Sequence, residues 1–229
     1  MVYPFAVNIR DIVRFDQISA LCGAVSAERQ ARIARFRFDK DKIRCLTAEL
    51  LVRYALSVQF GMDLGSAAFQ CAENGKPLLV DSDVHFNLSH SGEWVVCAVG
   101  KTEIGIDVEE IRQTDYQDIY CSFAEPEIAR LNSTEPDQKA DVFYQLWTLK
   151  ESYVKYCGSG LRCPFSDFTV ELLPDGSAKL ARAAAGVSDI CFDSRKLDAA
   201  YWYALCIPDG TQAAAICTVT PQRVFSIVK

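Results

Sequence analysis

Apolar positions recur at helical spacing in two long segments of the chain. Residues 40–60 present Leu46, Leu50 and Leu56 on a broad apolar face, and this pattern predicts a helix that ends at Gly61. A second long helix is predicted over residues 139–157, with Gly158 after it. Shorter helices are predicted over residues 26–34, where Ser26 can act as N-cap, and over residues 122–131.

Alternating apolar and polar positions predict strands around these helices. The predicted strands include residues 1–12, 94–99, 104–110, 168–173, 178–180, 190–194, 201–207 and 213–219. Because only residues 100–103 separate strand 94–99 from strand 104–110, the two are expected to form an antiparallel hairpin. Helices followed by strands therefore occur twice, which predicts an α+β fold with two similar halves, residues 1–103 and 104–229.

Composition excludes several classes of protein. Half of the 229 residues are apolar, which argues against disorder, and the net charge of −6 argues against general nucleic-acid binding. No apolar run approaches the ~18 residues of a membrane span, and the N-terminus does not resemble a signal peptide. The ten cysteines include no CxxC pair, so reduced thiols in a cytoplasmic protein are expected, with a disulfide scaffold as the alternative.

Charge is distributed unevenly along this acidic chain. Residues 26–44 contain seven Lys or Arg and three Asp or Glu, a local net charge of +4. Such a basic patch on an acidic protein suits a small polyanion better than a long one.

The stretch IGIDVEE, residues 104–110, raises an electrostatic question. In a strand, Asp107 and Glu109 point to the same face, roughly 7 Å apart at about 3.3 Å rise per residue. Neighbouring carboxylates raise each other's pKa unless a cation lies between them. The simpler alternative is the wet face of an edge strand.

Two other stretches carry complementary chemistry. Glu151 and Lys155 are i and i+4 on the second long helix, which by itself could be a surface ion pair. Ser89 and His90 lie in NLSHSG, residues 87–92, where a turn could hold phosphate. A Ser–His nucleophilic pair is the competing interpretation, but no GxSxG motif is present. Together, carboxylates, lysine, turn and basic patch are typical of a site for a Mg²⁺-bound diphosphate.

Four motifs, in order, carry a family resemblance. They are GKP at residues 75–77, FNLSHS at residues 86–91, IGID at residues 104–107 and WTLKE at residues 147–151. With these motifs the chain resembles the Sfp-type 4′-phosphopantetheinyl transferases. The length is similar to that of the monomeric class with two halves. The resemblance implies a pseudo-two-fold relation between the α+β halves, with the active site at their interface.

The resemblance also implies a reaction. Coenzyme A gives its 4′-phosphopantetheine arm to a serine of an apo acyl or peptidyl carrier protein, and adenosine 3′,5′-bisphosphate leaves. It implies Asp107, Glu109 and Glu151 as Mg²⁺ ligands, so Mg²⁺ would be the cation between the carboxylates. Lys155 would neutralise the diphosphate. Glu151 is expected to be the base that activates the serine, directly or through a metal-bound water, and Glu127 is the second candidate.

For the nucleotide end of coenzyme A, the resemblance implies contacts in the N-terminal half. Arg29 and Arg32 would meet the 3′-phosphate. Cys45 stands where the family pattern leads us to expect a threonine, and Arg44 could replace that contact. The remaining implied contacts to coenzyme A come from Lys76, Pro77, Ser89 and His90.

Two other functions use the same residues. A Mg²⁺-dependent phosphohydrolase or nucleotidyl enzyme would release its product to water and need no protein acceptor. A coenzyme A- or carrier-binding module without catalysis is the non-enzyme alternative. The presence of Asp107, Glu151 and Lys155 argues against the binding module.

Overall fold

The computed structural model describes residues 1–63, 67–72, 75–113, 117–184 and 186–228. The chain divides into two compact units. The first contains residues 1–102 together with 212–229, and the second contains residues 103–211. Within the described part of the chain, no helix has the length and apolar character needed to cross a membrane.

The first unit has a four-stranded sheet in the order β11-β1-β5-β4, in which β1 and β11 are parallel and the other pairs antiparallel. A small β2–β3 hairpin lies in the same unit. Its elements are β1 (Val2–Asn8), α1 (Ala27–Arg35), α2 (Asp39–Phe60), β2 (Phe69–Cys71), β3 (Pro77–Leu79), β4 (His85–Ser91), β5 (Trp94–Gly100), β11 (Cys217–Val219) and α6 (Pro221–Phe225), with 3₁₀ turns at Phe15–Gln17, Ser19–Ala24 and Ser226–Val228.

The second unit is built on a three-stranded antiparallel sheet in the order β6-β10-β9, with a separate β7–β8 hairpin. Its elements are β6 (Gly105–Glu110), α3 (Gln117–Tyr120), α4 (Glu125–Ser133), α5 (Pro136–Cys157), β7 (Thr169–Leu172), β8 (Ala178–Arg182), β9 (Ile190–Asp198) and β10 (Tyr201–Pro208), with 3₁₀ turns at Gly160–Arg162 and Phe165–Asp167.

Each unit packs a 22-residue helix on its sheet. Helix α2 buries Leu46 and Leu50 against Val95 and Val99 of β5 in one core. Helix α5 forms the other core with β10, α4 and β7. Both helices end at a glycine with left-handed backbone, Gly61 and Gly158, where a side chain would be strained. The α+β class and both long helices are therefore confirmed.

The predicted hairpin between strands 94–99 and 104–110 is wrong. Strand β5 pairs with β1 on one side and β4 on the other, whereas β6 pairs with β10. Because a strand has only two hydrogen-bonding edges, β5 has none left for β6. The predicted division at residue 103 also differs at the C-terminus, since residues 212–229 belong to the first unit through the β1–β11 pairing.

Candidate functional site

Strand β6 and helix α5 approach each other closely at Gly105. A Cβ atom on this residue would lie 1.9 Å from the Ser152 carbonyl oxygen and 2.5 Å from the Tyr156 backbone nitrogen. The two backbones are thus in contact, and only glycine fits. Since side chains alternate along a strand, Asp107 and Glu109 lie on the same α5-facing side of β6 as Gly105.

Asp107 contacts helix α5 through Lys155. The Lys155 Nζ donates to Asp107 Oδ1 at 2.5 Å, and Asp107 is only 2 % exposed. The lysine side chain is 26 % exposed, so one end of this ion pair reaches solvent. A charge-assisted bond of this length in a partly buried setting fixes both side chains.

Glu151 lies one helical turn before Lys155, on the same face of α5. Burial raises the pKa of Glu151, the neighbouring Asp107 carboxylate raises it further, and Lys155 offsets part of the increase. The structure therefore brings together Asp107, Glu151 and Lys155, and two carboxylates share one lysine.

We tested whether these residues suit Mg²⁺ from their chemistry. Asp107 and Glu151 supply the hard oxygen ligands that this cation prefers, and Mg²⁺ commonly uses only one or two protein carboxylates. Over the described parts of the chain, however, no three His, Cys, Asp or Glu side chains are grouped so as to hold a metal ion. The two carboxylates of Asp107 and Glu151 fit Mg²⁺ by their chemistry. Glu109 as a third ligand stays a prediction.

Glu127 occupies a different position from the one predicted for a base. Its carboxylate accepts two hydrogen bonds from Lys150 Nζ, both at 2.7 Å, one from Val170 N at 2.7 Å and one from Ala124 N at 2.9 Å. The residue is 2 % exposed. Because its oxygens are engaged in the interior, this arrangement argues against Glu127 as the second candidate base.

Lys150 lies beside Glu127 in a cage of aromatic rings. Its Nζ lies 4.1 Å from the Phe168 ring centroid, and the Phe123 and Phe165 rings are also near. Burial lowers the pKa of Lys150 to about 8, although the charge of Glu127 opposes this change. This buried pair joins α4, α5 and β7 within the second unit.

A separate pocket lies within the first unit. We call Arg29 and Arg32 of α1 its cationic wall and Val52, Phe69, Pro77, Phe86 and Leu88 its apolar wall, and the carboxylates Glu28 and Glu49 also line it. Arg29 Nη1 also donates to the Cys45 thiol, at 3.6 Å. The residues around the pocket are Ser26, Glu28, Arg29, Arg32, Glu49, Val52, Phe69, Gln70, Gly75, Pro77, Phe86 and Leu88. The pocket thus offers positive charge beside flat apolar surface.

The other predicted phosphate-binding residues lie in different settings. Ser89 and His90 lie inside β4 and not in a turn, because the strand continues to Ser91 and leaves only Gly92 and Glu93 for the connection. Side-chain alternation places His90 on the same face of β4 as the pocket residues Phe86 and Leu88, and Ser89 on the opposite face. The predicted phosphate-holding turn is therefore wrong as local structure.

Two further basic residues were predicted to bind the nucleotide. Arg44 bonds to the Gly92 carbonyl oxygen at 3.0 Å and to Asp41 at 2.6 Å. Lys76 directly precedes Pro77, which lies on the pocket wall. Arg44 is thus occupied in linking α2 to the β4–β5 turn.

The residue most clearly missed by the sequence analysis is Glu49. Its carboxylate is 3 % exposed and ion-paired with Arg29 at 3.4 Å and Arg53 at 2.8 Å. The signal was present in the stretch LTAELLVRYAL, where Glu49 and Arg53 are i and i+4 inside an apolar run. Charges on a face that must be buried require partners.

Comparison with known proteins assigns the chain to a family. Residues 103–217 match the 4′-phosphopantetheinyl transferase superfamily, and residues 14–102 match the family described as 4′-phosphopantetheinyl transferase, N-terminal. The chain belongs to the 4′-phosphopantetheinyl transferase superfamily.

Individual relatives agree with this assignment. The chain is 34 % identical over 211 residues to 4′-phosphopantetheinyl transferase psf-1 of Bacillus pumilus, covering 92 % of this chain and 90 % of the relative. It is 38 % identical over 161 residues to a 4′-phosphopantetheinyl transferase of Bacillus subtilis, covering 70 % and 72 %. The gsp transferase of Aneurinibacillus migulanus is 39 % identical over 171 residues, covering 75 % and 72 %. The predicted Sfp-type family and transferase activity are confirmed.

Proposed function

We propose that this transferase moves the 4′-phosphopantetheine arm of coenzyme A to a serine of an apo acyl or peptidyl carrier protein. The observation that carries the proposal is the buried Asp107–Lys155 contact at 2.5 Å beside Glu151. It places a cation and a carboxylate of raised pKa together, as phosphoryl transfer requires. The protein is proposed to act as a cytoplasmic monomer.

In the proposed step, Glu151 removes the proton from the carrier serine hydroxyl. The serine oxygen bonds to the phosphorus that carries the pantetheine arm. The bond from that phosphorus to the bridging oxygen breaks, and adenosine 3′,5′-bisphosphate leaves with the oxygen and its electrons. Burial raises the pKa of Glu151 in the metal-free protein, and with Mg²⁺ present Glu151 would accept the serine proton directly or through a metal-bound water.

Lys155 has two roles in this proposal. Without substrate its ammonium group neutralises Asp107. With coenzyme A bound, the partly exposed end of Lys155 can turn to a diphosphate oxygen and stabilise the charge that develops on the leaving group.

Asp107 and Glu151 would hold Mg²⁺, and Glu109 is the proposed third ligand. The ion would supply positive charge to the diphosphate. Release of Lys155 from Asp107 would free a carboxylate oxygen for this purpose.

The pocket of the first unit is the proposed site for the nucleotide end of coenzyme A. Arg29 and Arg32 suit a phosphate group, since one guanidinium group can donate two parallel hydrogen bonds to two phosphate oxygens. Phe69, Phe86 and Pro77 offer apolar surface for a flat base. Lys76, His90 and Ser89 are proposed as additional contacts to coenzyme A. Arg44 could join them only by giving up a bond to Gly92 or Asp41.

Intact-mass spectrometry of an apo carrier protein tests this function. We expect the carrier to gain one phosphopantetheine arm when incubated with the protein, coenzyme A and Mg²⁺, and none with Asp107→Ala. Chelation with EDTA should stop transfer, and added Mg²⁺ should restore it. Absence of transfer to fatty-acid, polyketide and peptide carriers would count against the proposed substrate.

Glu151→Gln tests the base within the same assay. We expect kcat to fall by roughly 10²–10⁴-fold, because a positioned base contributes this much. Glu127→Gln, refolded and measured per folded molecule, serves as the comparison, and its kcat should change much less. Normal turnover by Glu151→Gln would remove this residue from both the base and the metal-ligand roles.

A further inference from the structure

Glu49 is one of two carboxylates, the other being Glu28, in a pocket whose arginines Arg29 and Arg32 offer positive charge to an anion. Electrostatics alone would make such a group unfavourable there, because it repels phosphate. Its contacts indicate a different role. Ser26 N and Oγ donate to its two oxygens at 2.7 and 2.8 Å, and Arg53 Nε and Nη2 donate at 3.0 and 2.8 Å.

These contacts connect Glu49 to the cationic wall. Ser26 is the N-cap of α1, since its hydroxyl accepts a hydrogen bond from Arg29 N at 3.2 Å. Arg29 also donates from Nε to Glu49 at 3.4 Å. The Glu49 carboxylate, which belongs to α2, therefore positions both the backbone of Arg29, through Ser26, and its side chain directly.

The same carboxylate is connected to the apolar wall. Arg53 stacks over the Phe69 ring, with its guanidinium carbon 4.7 Å from the ring centroid. Phe69 in turn packs edge-on against Phe86, with ring centroids 5.4 Å apart. Phe69 and Phe86 both line the pocket. Through Arg53, Glu49 thus also supports the apolar wall of the pocket.

We infer that Glu49 is a positioning residue, which holds Arg29 and the Phe69 ring in place for binding the nucleotide end of coenzyme A. This inference rests on the proposed function of the pocket. The Glu49 carboxylate is ion-paired with both Arg29 and Arg53. A carboxylate can accept hydrogen bonds from all of these donors, whereas the uncharged amide of glutamine, which has the same shape, cannot.

The test is calorimetric titration with adenosine 3′,5′-bisphosphate, which lacks the pantetheine arm and the diphosphate. The design uses two carboxylates that line the same pocket. Glu49→Gln should weaken binding roughly 10-fold, because its amide group faces donors that lose their acceptor. Glu28→Gln removes a negative charge from the same pocket, and the loss of that charge by itself should strengthen binding of the anion.

The sign of the Glu49→Gln effect decides the inference. Unchanged or tighter binding would overturn it, since loss of the charge alone favours an anion. If the wild type itself does not bind adenosine 3′,5′-bisphosphate, the inference and the proposed role of the pocket both fail. Transfer kinetics provide a second readout, in which KM for coenzyme A should rise while kcat at saturation stays the same.

Arg53→Lys keeps the test valid if Glu49→Gln does not fold. A lysine keeps the charge but loses the two-nitrogen contact to Glu49 and the stack on Phe69. Weaker binding of adenosine 3′,5′-bisphosphate is expected, by a smaller factor than for Glu49→Gln. Binding equal to the wild type in Arg53→Lys would overturn the link to the apolar wall.

Discussion

The two long helices, α2 and α5, have the same length and the same glycine ending, but the charges that they bury have different partners. Helix α2 buries Glu49 and Arg53, and Glu49 also pairs with Arg29 of α1, which lines a pocket. Helix α5 buries Lys150, which a single carboxylate, Glu127, neutralises inside a cage of aromatic rings. A charged cluster that includes a pocket-lining side chain can act on a ligand, whereas an enclosed ion pair serves the fold.

The helices also differ in how they meet their sheets. Side chains such as Val95 and Val99 lie between α2 and β5. At Gly105 the backbone of β6 contacts the backbone of α5 directly. This close approach lets the short side chain of Asp107 reach Lys155, so the helix–sheet spacing is part of the site chemistry in the second unit only.

The largest effect that we expect concerns the Lys150–Glu127 pair. Glu127→Gln should lower the free energy of unfolding by about 3–5 kcal/mol, because it leaves a buried ammonium group without its counter-charge. Urea denaturation measures this loss. The double change Lys150→Met with Glu127→Leu should recover most of it, since no buried charge remains. A loss below about 1 kcal/mol in Glu127→Gln would contradict the structural role and remove the contrast with Glu49.

A smaller loss is expected when the close approach at Gly105 is disturbed. Gly105→Ala should lower the free energy of unfolding by roughly 1–3 kcal/mol, because β6 and α5 must separate to admit the methyl group. The same shift should lengthen the Asp107–Lys155 contact and reduce kcat. Gly23→Ala is the control, since an added Cβ there meets nothing within 4 Å. If Gly105→Ala were as stable as Gly23→Ala, β6 and α5 would have room for a methyl group between their backbones.

The sequence predicts the long helices well because their signals are local. Helix α2 was predicted over residues 40–60 and spans Asp39–Phe60, and α5 begins three residues before the predicted start, at Pro136. Proline at the first helical turn needs no hydrogen-bond donor, so the helix can start there. In both helices, glycine at the C-terminus marks the end without any tertiary information.

Strand pairing and buried charge depend on distant parts of the chain and were harder to predict. Strands β5 and β6 are neighbours in sequence, but β5 pairs with the adjacent β4 and with the distant β1, and β6 pairs with the distant β10. Local alternation cannot say which edges are already used. For Glu49, the apolar run gave a signal, but its partner Ser26 lies outside the helix. At β6, the alternation of side chains was enough to place Asp107 and Glu109 on one face.

The smallest effect separates the two units by their response to pH. Glu49 pairs with two arginines, whereas Asp107 pairs with Lys155, which lies one helical turn after Glu151. Burial and the Asp107 charge raise the pKa of Glu151, so the folded protein binds this proton more tightly than the unfolded chain does. The stability that protonated Glu151 contributes to the fold is therefore complete below the unfolded pKa of 4.5 and is lost as pH rises through the higher folded pKa.

Without divalent metal, the unfolding free energy of the wild type should fall relative to Glu151→Gln as pH rises from this value. In an Asp107→Asn background the same comparison should show a weaker fall, because one cause of the shift is gone. A relative gain in wild-type stability over this range would mean that Lys155 outweighs both burial and Asp107.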